Sequence, residues 1–327
     1  MNISPLKIGT LILVIVLASI ACVIFLTPLT GLLKGAEFSA VQTSSTTTPA
    51  ATDITSGMAL TFDDEFNSFS RYVDANGHVS CQSGGTGTWQ TVYDFCSRTQ
   101  PSNNEEEVYT DPGFLAYLKH ESQAASEVDP DDPFSLSNGV LAIKAIPSTP
   151  QILAAVGPWA KYTSGLITTQ FSFSQTYGYF EMRAKLPSGA GLWPAFWLLP
   201  VDESWPPEID AMEAFGATSS AGVGGPTMIH YASHAVTTSG SCGAWHDLGV
   251  DLSKDFHTYG VDVEPGSITY YFDRKPYATC QPNPDDNKPF YMLVNLAVGG
   301  WAGSPTSATV FPSYLYVDYV RAYQKVR

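Results

Sequence analysis

Short apolar runs broken by Gly, Pro, Asp, Asn and Ser dominate the chain beyond residue 138. They include GVLAIKAI (139–146), SGLITTQFSF (164–173), GYFEMRAKL (178–186) and LWPAFWLLP (192–200). PEIDAMEAF, PTMIHYAS (226–233), FHTYGVDVE (256–264), SITYYFD (267–273), FYMLVNLAV (290–298) and LYVDYVRAYQ (315–324) follow. Runs of this length between turn residues are strand signals. Period-two alternation is plain in YFEMRAKL, where Phe180, Met182, Ala184 and Leu186 share one face. Many strands without helical periodicity between them predict an all-β domain, a jelly-roll sandwich of two antiparallel sheets. The polar stretch 80–135 is expected to form long loops over one face, with DPDDP (129–133) a solvated loop.

The N-terminus reads differently. Residues 8–26, IGTLILVIVLASIACVIFL, hold 19 residues without a charge. About 20 apolar residues span a bilayer, whereas a signal-peptide core is usually roughly 7–15 residues followed by a small-residue cleavage site. The run therefore favours a retained transmembrane anchor over a cleaved signal segment, and either implies export. Residues 41–57, VQTSSTTTPAATDITSG, read as a disordered linker. The expected organisation is a membrane or signal segment over 1–40, a linker over 41–57 and one domain over 58–327.

Composition sharpens this picture. Seven Trp, 17 Tyr and 17 Phe accompany only 14% charged residues, so an aromatic-rich surface is expected. The net charge of −15, with few and unclustered Lys and Arg, argues against nucleic acid and anionic lipid as partners. A highly anionic polymer is disfavoured as substrate on the same ground, and a monomer is expected. Apart from Cys22 in the apolar run, four cysteines remain in an exported domain. They allow three disulfide pairings. The shorter loops favour Cys81–Cys96 and Cys242–Cys280, with free buried thiols as the alternative. No Cys/His spacing suggests zinc.

WPPEIDAMEAFG (205–216) carries Glu208, Asp210 and Glu213. On a regular strand Glu208 and Asp210 share a face and Glu213 points away. A β-bulge with Ala211 or Met212 as the extra residue would return all three to one face. Acids this close cannot all ionise freely, so at least one pKa should rise. Glycoside hydrolysis needs such a set: a protonated acid at the leaving oxygen and an ionised carboxylate across the sugar ring. Trp193 and Trp197 stand just upstream, and aromatic rings stack on sugar faces. Trp197, within the apolar FWLL, is expected in the core.

EIDAME resembles the E-[apolar]-D-x-x-E pattern of glycoside hydrolase family 16, in its bulged, laminarinase-like branch of endo-β-glucanases. Support runs through FDDEFN, WQTVYDFCSR, NNEEEVYTD, YTSGLITT, YGYFEMRAKLPSGAGLWPAFWLLP, DFHTYGVDVEPGSITYYFD, NLAVGGWAG and VDYVRAYQ. The resemblance implies a jelly roll with a cleft across its concave sheet and a retaining double displacement. By position it implies Glu208 as nucleophile, Asp210 as its assistant and Glu213 as acid/base. It also implies Trp193 beside the cleaved sugar's subsite, His230 near the acids, and Asn104 and Glu105 as sugar ligands. Glu107 stands where the family usually has Gln, which bears on the charge of that subsite. Trp301 on its Gly-rich loop is expected at the cleft. No cofactor is required for the chemistry. A structural calcium at Glu65 and Asp318 is implied, with surface acids in turns as the alternative.

These readings converge on an exported, membrane-tethered endo-glycosidase acting on β-1,3- or mixed β-1,3/1,4-glucan. A galactan or bacterial exopolysaccharide hydrolase or transglycosylase is the second reading. A non-catalytic glucan-binding module is the third, and an intact acid triad speaks against it.

Overall fold

The computed structural model describes residues 53–93, 96–119, 129–236 and 241–326. The apolar run 8–26 and most of the expected linker lie outside them. Residues 53–57 do not continue that linker: they form a turn, and the Asp53 carboxylate pairs with Arg274 at 2.9 Å. Among the described residues no helix is long and apolar enough to cross a membrane.

In chain order the elements are β1 (Met58–Asp64), β2 (Glu107–Tyr109), α1 (Pro112–Lys119), β3 (Phe134–Ser137), β4 (Val140–Pro147) and α2 (Pro150–Val156). Then come β5 (Tyr162–Ser164), β6 (Leu166–Thr168), β7 (Gly178–Lys185), β8 (Leu192–Pro200), β9 (Glu208–Glu213) and β10 (Met228–His234). The chain finishes with β11 (Cys242–Asp247), β12 (His257–Glu264), β13 (Ser267–Phe272), β14 (Lys275–Cys280), β15 (Phe290–Val298) and β16 (Ser313–Lys325).

The strands make two sheets. The larger runs β14-β13-β12-β7-β16-β4-β5-β2, with β1 on β16 and β3 on β4. The smaller runs β11-β10-β9-β8-β15-β6. All pairs but β2–β5 are antiparallel. This is the sandwich that the alternation predicts. Phe180, Met182, Ala184 and Leu186 all enter the core, together with Val261, Val263, Leu315 and Val317 of the larger sheet. Phe196, Leu198, Ile209, Met292, Val294 and Leu296 meet them from the smaller one. Fully burying a side chain of this size stabilises by ~1.5–3 kcal/mol, so the opposed faces fix which sides of β8, β9 and β15 remain for the cleft.

Three local expectations are corrected. The run 164–173 is not one strand: Gly165 separates β5 from β6, packed where a Cβ would come within 2.8 Å of the Phe134 ring. Beyond Thr168 the backbone turns, with Ser172 and Phe173 N–H both donating to the Thr169 carbonyl. Two short helices interrupt the strands, and α2 is started by Thr149, whose side chain accepts from Ile152 N–H ahead of Pro150. DPDDP is not a solvated loop, since Asp131 and Asp132 are buried and Asp132 pairs with Arg71 at 3.5 Å.

Both favoured disulfides, Cys81–Cys96 and Cys242–Cys280, are present. The second joins β11, the last strand of the smaller sheet, to β14, the last strand of the larger.

Candidate active site

β9 lies between β8 and β10, and its register shows the bulge directly. Glu213 faces Ala195 and Met212 faces Phe196, but Asp210 faces Trp197, so Ala211 is the residue without a partner on β8. On the other side Glu213 faces His230 and Asp210 faces Ala232. Ala211 and Met212 both turn into the core. Glu208, Asp210 and Glu213 therefore return to one face and line one cleft of ≈ 520 Å³. The rest of its floor comes from the outward faces of β8 and β15: Trp193, Ala195, Trp197, Leu199, Asn295 and Ala297.

Each carboxylate is held from a different side. Glu213 Oε1 accepts the Trp193 indole N–H at 3.0 Å, and its Oε2 is 3.0 Å from His230 Nδ1. Glu208 Oε2 accepts the Trp205 indole N–H at 2.7 Å. Asp210, only 2% exposed, sits 2.9 Å from His234 Nε2 through Oδ2. Burial pushes the Asp210 carboxyl well above the usual carboxylate range, and the neighbouring Glu208 and Glu213 charges add to the effect. Glu208 is raised as well, first by its low-dielectric surroundings, although 19% of its side chain stays accessible from the cleft. The cation at His234 and the Trp205 hydrogen bond act against that rise. His234 itself is pushed up to about 9, chiefly by its bond to Asp210.

An aromatic wall extends from the Glu213 end. Trp301, 42% exposed, lies 5.9 Å from Trp193, 4.9 Å from Phe215, 5.4 Å from Trp245 and 5.0 Å from His230 between ring centroids. Gly300 at φ 56° allows this approach, since a Cβ there would come within 2.9 Å of the Trp193 ring. Trp205, Tyr93 and residues of the 100–105 segment also line the cleft.

Trp197 is a cleft residue, not a core one. Its indole N–H donates to Asn295 Oδ1 at 2.8 Å and it shares the outward face of β8 with Trp193. In the 103–107 segment Asn103 and Glu105 line the cleft. Asn104 does not: it is exposed, turned by φ 57°, and offers its carbonyl to Gly300 N–H at 3.1 Å. Glu105 accepts from Gln100 N–H and from Asn103 Nδ2. Behind it Glu107 is fully buried, with Oε2 accepting Val298 N–H at 2.7 Å. Burial and then the Glu105 charge push the Glu107 carboxyl well above its usual range.

Glu65 and Asp318 are each paired with an arginine. Arg321 holds Glu65 at 2.7 Å and Arg183 holds Asp318 at 2.5 Å. With a guanidinium on each, these two side chains do not fit a shared calcium site. Glu208, Asp210 and His234 bring donor atoms within 4.8 Å of one another, a proximity that their own hydrogen bonding accounts for.

His234 and Trp205 carry no expectation from the sequence, though both were signalled. His234 is four residues from His230 in MIHYASH, hence on the same strand face, and Trp205 begins the acid-bearing stretch.

Residues 135–321 match the family model described as Glycosyl hydrolases family 16. The chain is 38% identical over 269 residues to endo-1,3-1,4-beta-glycanase ExsH of Rhizobium meliloti (strain 1021), covering 81% of this chain and 52% of that protein. It is 34% identical over 230 residues to glucan endo-1,3-beta-glucosidase A1 of Niallia circulans, covering 64% and 32%. Among solved structures it is similar to the laminarinase catalytic domain of Thermotoga maritima MSB8, with a TM-score of 0.63, 27% identity, and 83% and 99% coverage. The chain thus spans about half the length, 52%, of the first Rhizobium relatives it matches.

Proposed function

The chain belongs to glycosyl hydrolases family 16, and from that premise we propose that it is a retaining endo-glycosidase cutting internal bonds of β-1,3- or mixed β-1,3/1,4-glucan. The observation that carries this reading is the bulge at Ala211, by which Glu208 and Glu213 share one cleft with an indole donor on each. In the first step a Glu208 oxygen bonds to the anomeric carbon as the glycosidic bond breaks. The departing oxygen takes the proton of Glu213. In the second, water attacks the same carbon, gives its proton to Glu213, and the bond to Glu208 breaks. Asp210 between them keeps Glu208 oriented.

The cleft's shape supports internal cleavage. Trp193, Trp197 and Trp205 line it and Trp301 packs against Trp193, an extended set of aromatic faces suited to several successive sugars. Among the described residues no Lys or Arg lines the cleft, which suits a neutral polymer. The names of the relatives, a 1,3-1,4-β-glycanase and an endo-1,3-β-glucosidase, support the same linkages. Two disulfides support an oxidising, extracytoplasmic location, and the apolar run 8–26 supports a membrane tether.

Digestion of defined β-1,3-, mixed-linkage and galactan substrates, with product linkage and anomer analysis, tests the reading. The parent should release retained-anomer oligosaccharides from the β-glucans and Glu208→Gln should not. Equal release by both would remove Glu208 from the chemistry. No release by either from any polymer would favour the binding module.

A further inference from the structure

β10 carries two histidines on its cleft face, and each serves a different acid of β9. His230 lies beside Glu213; His234 lies opposite Glu208 in the strand register. His234 Nε2 is 2.9 Å from Asp210 Oδ2 and 3.6 Å from Glu208 Oε1. Among the described residues, the ion pairs of Glu208, Asp210 and Glu213 are all with these histidines, and no Lys or Arg lines the cleft. A carboxylate that must stay ionised in a low-dielectric floor beside a second acid therefore has one source of compensating charge.

We propose that His234 is a positioning residue, whose hydrogen bond to Asp210 holds one proton on the His234–Asp210 pair so that Glu208 remains the anion. The proposal rests on the reading of Glu208 as nucleophile. The proton resides on Nε2, which makes an imidazolium–carboxylate pair that is neutral overall. Glu208 then faces a neutral pair rather than a second carboxylate. Without the imidazole, Asp210 and Glu208 would compete for a proton, as closely spaced acids do, and the nucleophile would be lost at higher pH. The ionisable groups acting on His234 are Asp210, Glu208 and Glu213 of β9. On β11, Cys242, which faces Ser233, is closed in a disulfide. These acids raise His234 to about 9, in line with a retained proton.

Two measurements test this. NMR titration of the full chain, with the His234 ring assigned through bonds, should give a midpoint well above that of a free histidine. A midpoint at or below the usual ~6.5 would overturn the proposal. The acid limb of kcat/KM on a β-1,3-glucan should move up by about half a pH unit or more in His234→Gln, since that limb reports the free enzyme's ionised group. An unmoved limb with a folded variant would overturn it too. The titration needs no turnover and no folded variant. Activity surviving in Glu208→Gln would sink the nucleophile assignment instead, so the two failures are distinguishable.

Discussion

Trp205 donates its indole N–H to Glu208 Oε2 across 2.7 Å while its ring stands 68% exposed at the cleft margin. One side chain thus offers a donor to a carboxylate and a flat face to the substrate path. The two roles separate by substitution. Trp205→Phe keeps the face and loses the donor. Because this bond opposes the rise in the Glu208 pKa, its acid limb should shift to higher pH. A hydrogen bond to a charged group is worth ~1.5–3 kcal/mol, so kcat/KM should fall roughly tenfold or more. Trp205→Ala should raise KM in addition. Steady-state kinetics across pH on a β-glucan checks both.

Glu107→Gln should stabilise the protein at neutral and alkaline pH. The folded-state pKa of Glu107 lies well above its unfolded value. A raised acid costs stability increasingly as pH climbs from the unfolded pKa toward the folded one. The amide removes that cost and keeps the shape. Thermal melts of parent and variant should coincide near pH 4 and separate by pH 8, with the variant higher. Coincident melts at both values would contradict the buried acid.

Stability also depends on His234, with the opposite sign. Its folded pKa of about 9 exceeds the unfolded ~6.5. The contribution is complete below the unfolded value and is lost as pH rises through about 9. The parent's melting temperature should therefore decline across that window more steeply than that of His234→Gln.

Removing Cys242–Cys280 should cost more than removing Cys81–Cys96. The sequence separations are 38 and 15 residues. Chain-entropy estimates give about 4 and about 3 kcal/mol. β11 also carries Trp245, which packs on Phe215 at 4.7 Å. The paired Cys242/Cys280→Ser variant should thus raise KM as well as lower the denaturation midpoint, whereas Cys81/Cys96→Ser leaves the Trp245 wall intact. Urea titration and substrate saturation curves read the two effects.

Deleting Ala211 should preserve the orientation of the acids, because a regular strand with the spacing i, i+2, i+4 keeps one face. Inserting an alanine between Met212 and Glu213 should instead carry Glu213 toward the core side and abolish hydrolysis. Comparing the two variants by activity and circular dichroism checks the register.

The acid face was legible in the sequence because Glu208, Asp210 and Glu213 have a spacing that only an irregular strand can reconcile. The core face of β7 was legible for the simpler reason of strict alternation. Trp197 was not, since FWLL is apolar on both faces and the partner that makes its indole a cleft group, Asn295, lies 98 residues away in the chain. Asn103 and Asn104 are chemically alike, and the sequence does not show that Asn104 takes a positive φ while Asn103 lines the cleft. Buried Asp131 and Asp132 were missed because composition alone does not reveal Arg71, 61 residues upstream of Asp132. The arginine partners of Glu65 and Asp318 were hidden for the same reason, being set by strand pairing rather than by nearby sequence.

The cystine between β11 and β14 has a bearing on solubility. Both are terminal strands, and a terminal strand presents unpaired backbone N–H and C=O groups on which another chain can template. Fastening these two margins to each other keeps either from peeling back and offering a fresh surface for edge-to-edge aggregation. A reduced molecule would accordingly be stickier as well as looser.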